Sequence, residues 1–276
     1  MQSRNVTADL TSMLEGDDQE INLARAALLF STIEHPDLNI DGELSALDCM
    51  GKIVLKKLGS HREPMADMNV LSEYIFDELG FHGDQTDYYN PENSFLNIVL
   101  STRKGIPISL ALLYIEVGSR VGIPLLGIGM PGHFLVKHEY EDDVFVDPFY
   151  GGILLSKQEC IARFHDMSGE NAVWQDTYLL PVTKTQFLTR IIRNLKFSYL
   201  RSQDHFNALK VIDWTLALKP RSSQDLRDRG LVKLRIGQAA EALDDLRHYV
   251  EMSPTSPDAP AVRRLLGRLK RRLGKE

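Results

Sequence analysis

Two pairs of identical residues near the end of this chain stand one fixed interval apart: Ala208 with Ala242 and Pro220 with Pro254, 34 residues in each case. A period of that length holds two short helices and their turns. Small residues let two antiparallel helices approach closely, and a proline stops the second helix before the next copy begins. The interval defines two copies, about 189–222 and 223–256, followed by a helix from about Asp258 to Arg272. Leu195 and Tyr199 supply apolar and aromatic positions on the first helix, and Gly230 the small position in the second copy. A helix pair of this kind cannot bury its apolar face alone. The copies must therefore stack, and the last helix must cap them.

These offsets resemble the tetratricopeptide repeat. Lys196 stands where the usual glycine of the first copy would be, and Lys233 where the aromatic of the second would be. By that resemblance the groove of the array is lined by first-helix residues, among them Arg190, Arg193, Asn194, Phe197 and Arg227. Basic residues there suit a peptide carboxylate or an acidic segment. The competing reading is ordinary surface charge. The expected partner is a protein or peptide.

Upstream the chain reads differently. Residues 1–20 are polar and acid-rich, a frayed end or a first short helix. Residues 21–33 form a helix with apolar residues on more than one face, as a buried helix has. Further helices are expected over 42–58, 65–79 and 94–101, with a turn-rich loop at 81–93. Pro107 opens a strong helix that runs to Val121, since proline at a first helical position loses no hydrogen bond. The period then changes. Residues 125–129, 133–139 and 144–147 read as strands, and 156–165 as helix. Pro181 marks the expected domain end, so the domains are 1–181 and 182–276. Helices followed by a small sheet is the α+β order.

Four sequence pieces carry possible chemistry: Arg103-Lys104-Gly105-Ile106-Pro107, Gly122-Ile123-Pro124, Pro131-Gly132-His133-Phe134 and Val146-Asp147-Pro148. A His and an Asp on neighbouring strands face each other when they share a side of the sheet. In a triad the carboxylate would hold the imidazole tautomer, and the imidazole would deprotonate a nucleophile. This order resembles the transglutaminase-like core, a papain-type α+β fold of helices packed on a small antiparallel sheet. Together with Asn93-Ser94-Phe95-Leu96-Asn97 and Ile108-Ser109-Leu110, it is similar to a bacterial family named after the invasion-gene regulator SirB-one. That family joins such a core to tetratricopeptide repeats.

The resemblance implies a cysteine at the tip of the central helix in active relatives. Aligned on Gly122 and Ala111, that position falls on Pro107, which has no nucleophile. Ser109 is the nearest hydroxyl, but two residues along a helix is about 200° of rotation. Ser109, His133 and Asp147 are therefore the candidate site, read as a structural His–Asp link, a retained ligand site or a working triad. His138 is an odd number of residues from His133 and faces the other side of a strand. That disfavours a shared metal. No HExxH, paired CxxC or phosphate-cradling glycine loop occurs, so no cofactor is expected.

The net charge of −6 argues against a nucleic-acid binder with a large basic footprint. Charge is uneven, however: residues 1–50 hold ten acids and two bases, and 261–276 seven bases and one acid. The basic end reads as the solvated face of a last helix, with a small anionic-partner site as the alternative. Two cysteines, Cys49 and Cys160, do not make a secreted disulfide scaffold. Without an apolar run of about 18 residues or a basic-then-apolar start, no membrane partner is expected, and a reducing cytoplasm fits best. The expected function is a non-catalytic, regulatory protein-interaction adaptor. The alternative is a hydrolase or acyl-transferase using Ser109, His133 and Asp147.

Overall fold

A helix that is apolar on every side needs protein on every side. The helix opened by Pro107 meets that requirement at the centre of the first part of the chain. The computed structural model describes residues 6–14, 16–60 and 62–274. The first five residues, and Lys275 and Glu276 of the basic end, lie outside the described residues. The chain divides into two compact units. One comprises Gly16–Ile191. The other comprises Ile192–Glu276 together with the N-terminal stretch that holds helix α1 (Val6–Leu14).

In the 16–191 unit, α2 (Leu23–Ser31), α3 (Ile40–Lys57) and α4 (Pro64–Ser72) come first. The helical path of α4 continues through a π-helical stretch, Glu73–Glu78. Eight of the nine residues of α2 are buried, as its crowded apolar pattern requires. Strand β1 (His82–Gly83) pairs in parallel with β2 (Lys104–Gly105), across the short helix α5 (Leu96–Thr102). The central helix is α6 (Pro107–Arg120), with Leu110, Ala111, Leu113, Tyr114 and Val117 fully enclosed. It contacts α2, α3, α4 and α5. The Tyr114 hydroxyl donates to the Met68 carbonyl at 2.9 Å, and burial pushes its pKa upward.

Four antiparallel strands follow as a meander: β3 (Leu125–Ile128), β4 (Leu135–His138), β5 (Val144–Asp147) and β6 (Ile153–Ser156). The fourth strand is not evident in the sequence. Its Ile153 and Leu154 are exposed and only Leu155 turns inward. α6 packs on β3 and β4, and α7 (Lys157–Ser168) on β6. Ser156 caps α7 through the Glu159 N–H while Glu159 reaches back to Ser156. Leu135, Phe145, Leu155, Cys160 and Phe164 form one apolar cluster, with Trp174 and Tyr178 against it. Pro181 bridges to Ile128 at the edge of β3, a position where a missing N–H does no harm.

The second unit is helical. α8 (Lys184–Arg201) and α9 (His205–Leu218) form one pair, α10 (Ser223–Arg235) and α11 (Ala239–Met252) the next. The division between the units falls within α8. α12 (Ala259–Arg272) covers α11, its Val262 and Leu269 joining Leu243, Leu246 and Tyr249. At Gly230 a Cβ would lie 2.7 Å from Leu246 Cγ, so the close approach of α10 to α11 depends on that missing side chain. α1 packs on α9 and buries Leu10. Of the two expectations for the N-terminal residues, the short helix is the one that forms.

Candidate functional site

The sheet brings together two residues that the sequence separates by 14 positions. Asp147 ends β5, and His133 lies two residues before β4, in a turn that its own N–H closes onto the Met130 carbonyl at 3.1 Å. The strand expected over 133–139 thus starts later, because the Pro131-Gly132 turn takes up His133 and Phe134. His133 Nε2 and Asp147 Oδ2 are 2.8 Å apart, and both side chains are buried.

Asp147 is held from three directions. Its Oδ1 accepts from the Phe149 and Tyr150 N–H groups at 3.1 and 3.3 Å, capping the single turn that follows β5. Its Oδ2 also accepts from the Arg163 guanidinium on α7. Arg163 lies 4.3 Å over the Tyr150 ring, and Phe149 and Tyr150 both border the His133 imidazole. The arginine and the two backbone N–H groups all donate to this carboxylate. In the tautomer that donates from Nε2 to Asp147, Nδ1 is the nitrogen left to accept. Among the described residues Nδ1 has no hydrogen-bond partner.

Phe149 is seated directly on backbone. A Cβ at Gly83 would lie 2.5 Å from the Phe149 ring and 2.6 Å from its carbonyl oxygen. Beyond this wall is a cavity of about 470 Å³ lined by residues 82–86, Lys104, Phe149, Tyr150 and Gly151. The turn carrying His133 is fixed from below by Arg190, which donates to the Met130 and His133 carbonyls at 2.8 Å each.

Residues 43–193 match the family described as the transglutaminase-like superfamily, and 195–267 match the tetratricopeptide repeat. The chain belongs to the transglutaminase-like superfamily, among its UPF0162 proteins. A "UPF0162 protein" of Xylella fastidiosa (strain Temecula1) is 36% identical over 255 residues, 90% of this chain and 89% of the relative. One from Vibrio cholerae is 27% identical over 256 residues, 92% and 94% of the two chains. "F-box only protein 21" of Mus musculus is 34% identical over 102 residues, 34% of this chain and 16% of that protein. No solved structure matches the chain significantly.

In this transglutaminase-like unit Pro107 is the first residue of α6, and it is buried. Ser109 is two residues further on, and its hydroxyl is occupied. It accepts from the Ile106 N–H at 3.0 Å, and it lies 2.6 Å from the Asn93 carbonyl and 3.1 Å from the Ile106 carbonyl as donor. No hydrogen bond joins it to His133. Its present work is to close the N-terminus of α6 and tie it to the Asn93 segment. Cys160 is enclosed in the sheet cluster, where burial pushes its thiol up to about 12 and the nearby Asp147 carboxylate adds to the effect. It is a thiol at neutral pH. Cys49 is exposed on α3. His138 is buried, its pKa lowered by that burial, and its Nδ1 accepts from the Tyr140 N–H at 3.2 Å.

Arg163 is the functional neighbour that sequence reading missed. The available signal was weak: it lies three residues from Cys160 on a helix whose Cys160 and Phe164 face the sheet.

The expected groove residues have different surroundings. Arg190 lies in the 16–191 unit, on the His133 turn and 5.4 Å over Phe134. Arg193 is exposed, Asn194 half-buried, and Phe197 exposed at 51% on α8. Arg227 pairs with Asp228 and Asp258 at 2.9 and 2.6 Å. Lys196 pairs with Asp225 and Asp228, Arg229 with Asp213 and Asp245, and Lys233 with Asp245. Burial works to raise the pKa of Asp245, yet Arg229 and Lys233 hold it below the ordinary carboxylate value. The two departures from the repeat pattern, Lys196 and Lys233, are thus each matched by aspartates. A cavity of about 320 Å³ opens between α8 and α10, with Leu200, Leu231 and Val232 beside Asp228 and Arg235. Among the described residues no helix is long and apolar enough to cross a membrane.

Proposed function

We propose that this chain is a cytoplasmic, non-catalytic interaction adaptor of the SirB-one type, with functional domains 1–181 and 182–276. In this reading it holds a protein or peptide partner through its repeat surface and carries a transglutaminase-like core that no longer turns over substrate. The observation that carries the reading is His133 Nδ1, which has no thiol or hydroxyl bonded to it among the described residues. Pro107 at the helix tip and the occupied hydroxyl of Ser109 support it. Arg193, Asn194 and Phe197 on α8 form the partner-facing surface, with the mixed polar and apolar cavity beside Leu231 as its pocket. Arg227 is already matched by Asp228 and Asp258, so Arg193 is the cation of this surface left to meet a carboxylate. Affinity capture compares wild type with an Arg193→Glu, Phe197→Ala double variant. The partner set should lose its strongest members; unchanged partner sets would remove α8 from the reading.

A second reading keeps Ser109, His133 and Asp147 as an acyl-transfer triad. It is favoured by the imidazole–carboxylate geometry itself, with His133 Nε2 and Asp147 Oδ2 2.8 Å apart. A fluorophosphonate probe would then label Ser109, and His133→Ala would abolish labelling. No labelling of folded protein leaves the adaptor reading in place.

A further inference from the structure

Sequence reading singled out Asn93-Ser94-Phe95-Leu96-Asn97, and the dyad uses little of it. Beside this segment, at the end of α2, stand Glu34 and His35. One donor atom from each of Glu34, His35 and Glu92 lies within 4.8 Å of the others, the one such group among the described residues. We propose that these three side chains bind a divalent first-row transition-metal ion.

Carboxylates near one another on a surface are common without an ion, so the histidine decides the matter. His35 Nε2 is buried and has no hydrogen-bond partner. Leaving such a group unpaired is costly, and a metal ion bound at that nitrogen would satisfy it. The ring is held in place, edge to face with Phe95 at 6.0 Å. Ser94 Oγ and Asn97 Oδ1, in the same short segment as Glu92, are also buried without partners. Polarity near the site favours a cation. The Glu34 and His35 N–H groups bond back to the Ser31 carbonyl at the C-terminal end of α2, the end of a helix that carries partial negative charge.

Donor chemistry narrows the ion. Calcium and magnesium take oxygen ligands, whereas an imidazole beside two carboxylates suits zinc, manganese, iron, cobalt or nickel. Metal–ligand bonds of about 2.0–2.2 Å require the donors to close in. The exposed Glu92 can do this by changing rotamer. Such an ion would fasten the end of α2 to the segment whose Asn93 carbonyl receives Ser109 at the tip of α6.

The test uses the full chain, stripped with chelator and titrated calorimetrically with zinc alone and with manganese alone. Wild type should bind one equivalent of at least one ion and gain thermal stability from it. His35→Asn and Glu92→Gln should each weaken binding by at least about tenfold, while His82→Asn, at the exposed first residue of β1, should not. Glu92 is exposed, so its variant remains informative if His35→Asn misfolds. Absence of stoichiometric binding by folded wild type would overturn the site, as would equal affinity in Glu92→Gln.

Discussion

The His133–Asp147 site and the repeat unit use buried and half-buried charge in different ways. Around the dyad of the 16–191 unit a single carboxylate, Asp147, organises what is near it: an imidazole, a guanidinium and two backbone N–H groups. In the repeat unit charge is distributed. Lys196, Arg227, Arg229 and Lys233 share Asp213, Asp225, Asp228, Asp245 and Asp258 in overlapping pairs. A centralised network concentrates its consequences in one residue. A distributed one spreads them, because Lys196, Arg227, Arg229, Asp228 and Asp245 each keep a second partner when one is lost. The difference fits two tasks: fixing one side chain in one orientation, and stiffening a short helical stack.

Each unit also carries one tryptophan, Trp174 in the first and Trp214 in the second. Fluorescence of Trp214→Phe and Trp174→Phe backgrounds therefore follows the units separately during urea unfolding. The sharpest break comes at Asp147. Asp147→Ala leaves Arg163 without its partner and should cost about 3–5 kcal/mol, shifting the Trp174 transition; a shift under 1 kcal/mol would mean the network is not centralised. Next is Gly230→Val, which drives a side chain into Leu246. It should cost about 1–3 kcal/mol, seen by Trp214 and hardly by Trp174.

A smaller effect is expected in acid. The Asp87 N–H, with the Thr86 hydroxyl and N–H and the Asn93 amide, holds Asp84 down to about 2. A carboxyl whose folded pKa is depressed stabilises the fold fully above its unfolded value, about 3.9, and loses that contribution as pH falls through the folded value. The Trp174 midpoint should therefore fall between pH 4 and 2, and Asp84→Asn should flatten that part of the slope. An unchanged slope would show that the 84–87 turn opens before its carboxylate titrates. The smallest effect is Arg247→Ala. This exposed arginine meets Asp244 at 3.3 Å and Glu251 at 3.9 Å, and its loss should move the Trp214 midpoint by less than about 0.5 kcal/mol. A larger loss would mean that the distributed network extends onto the open face of α11.

Local pattern made some of this architecture legible. The proline-led central helix, the first three strands of the meander and the 34-residue period all rest on residues close in sequence. β6 was hidden because half of its side chains face solvent, so no alternation of buried residues announces it. The His133–Asp147 pair could be anticipated from neighbouring strands. Arg163 could not, since a polar residue on an amphipathic helix reads as solvated until the helix is docked. The same reason hid the aspartates around Lys196 and Lys233. Each is an ordinary surface residue in its own helix, and only the stacking of one helix on another gives it a cation. Glu34, His35 and Glu92 are harder still, for 57 positions separate the last two.

The bare backbone at Gly83 has an evolutionary corollary. Because the aromatic ring flanking the imidazole rests on that missing side chain, saturation mutagenesis at this codon should tolerate glycine alone. Any lineage that replaced it would have to rebuild the neighbouring loop in the same step, so descent with this ring in place is channelled through a single allele.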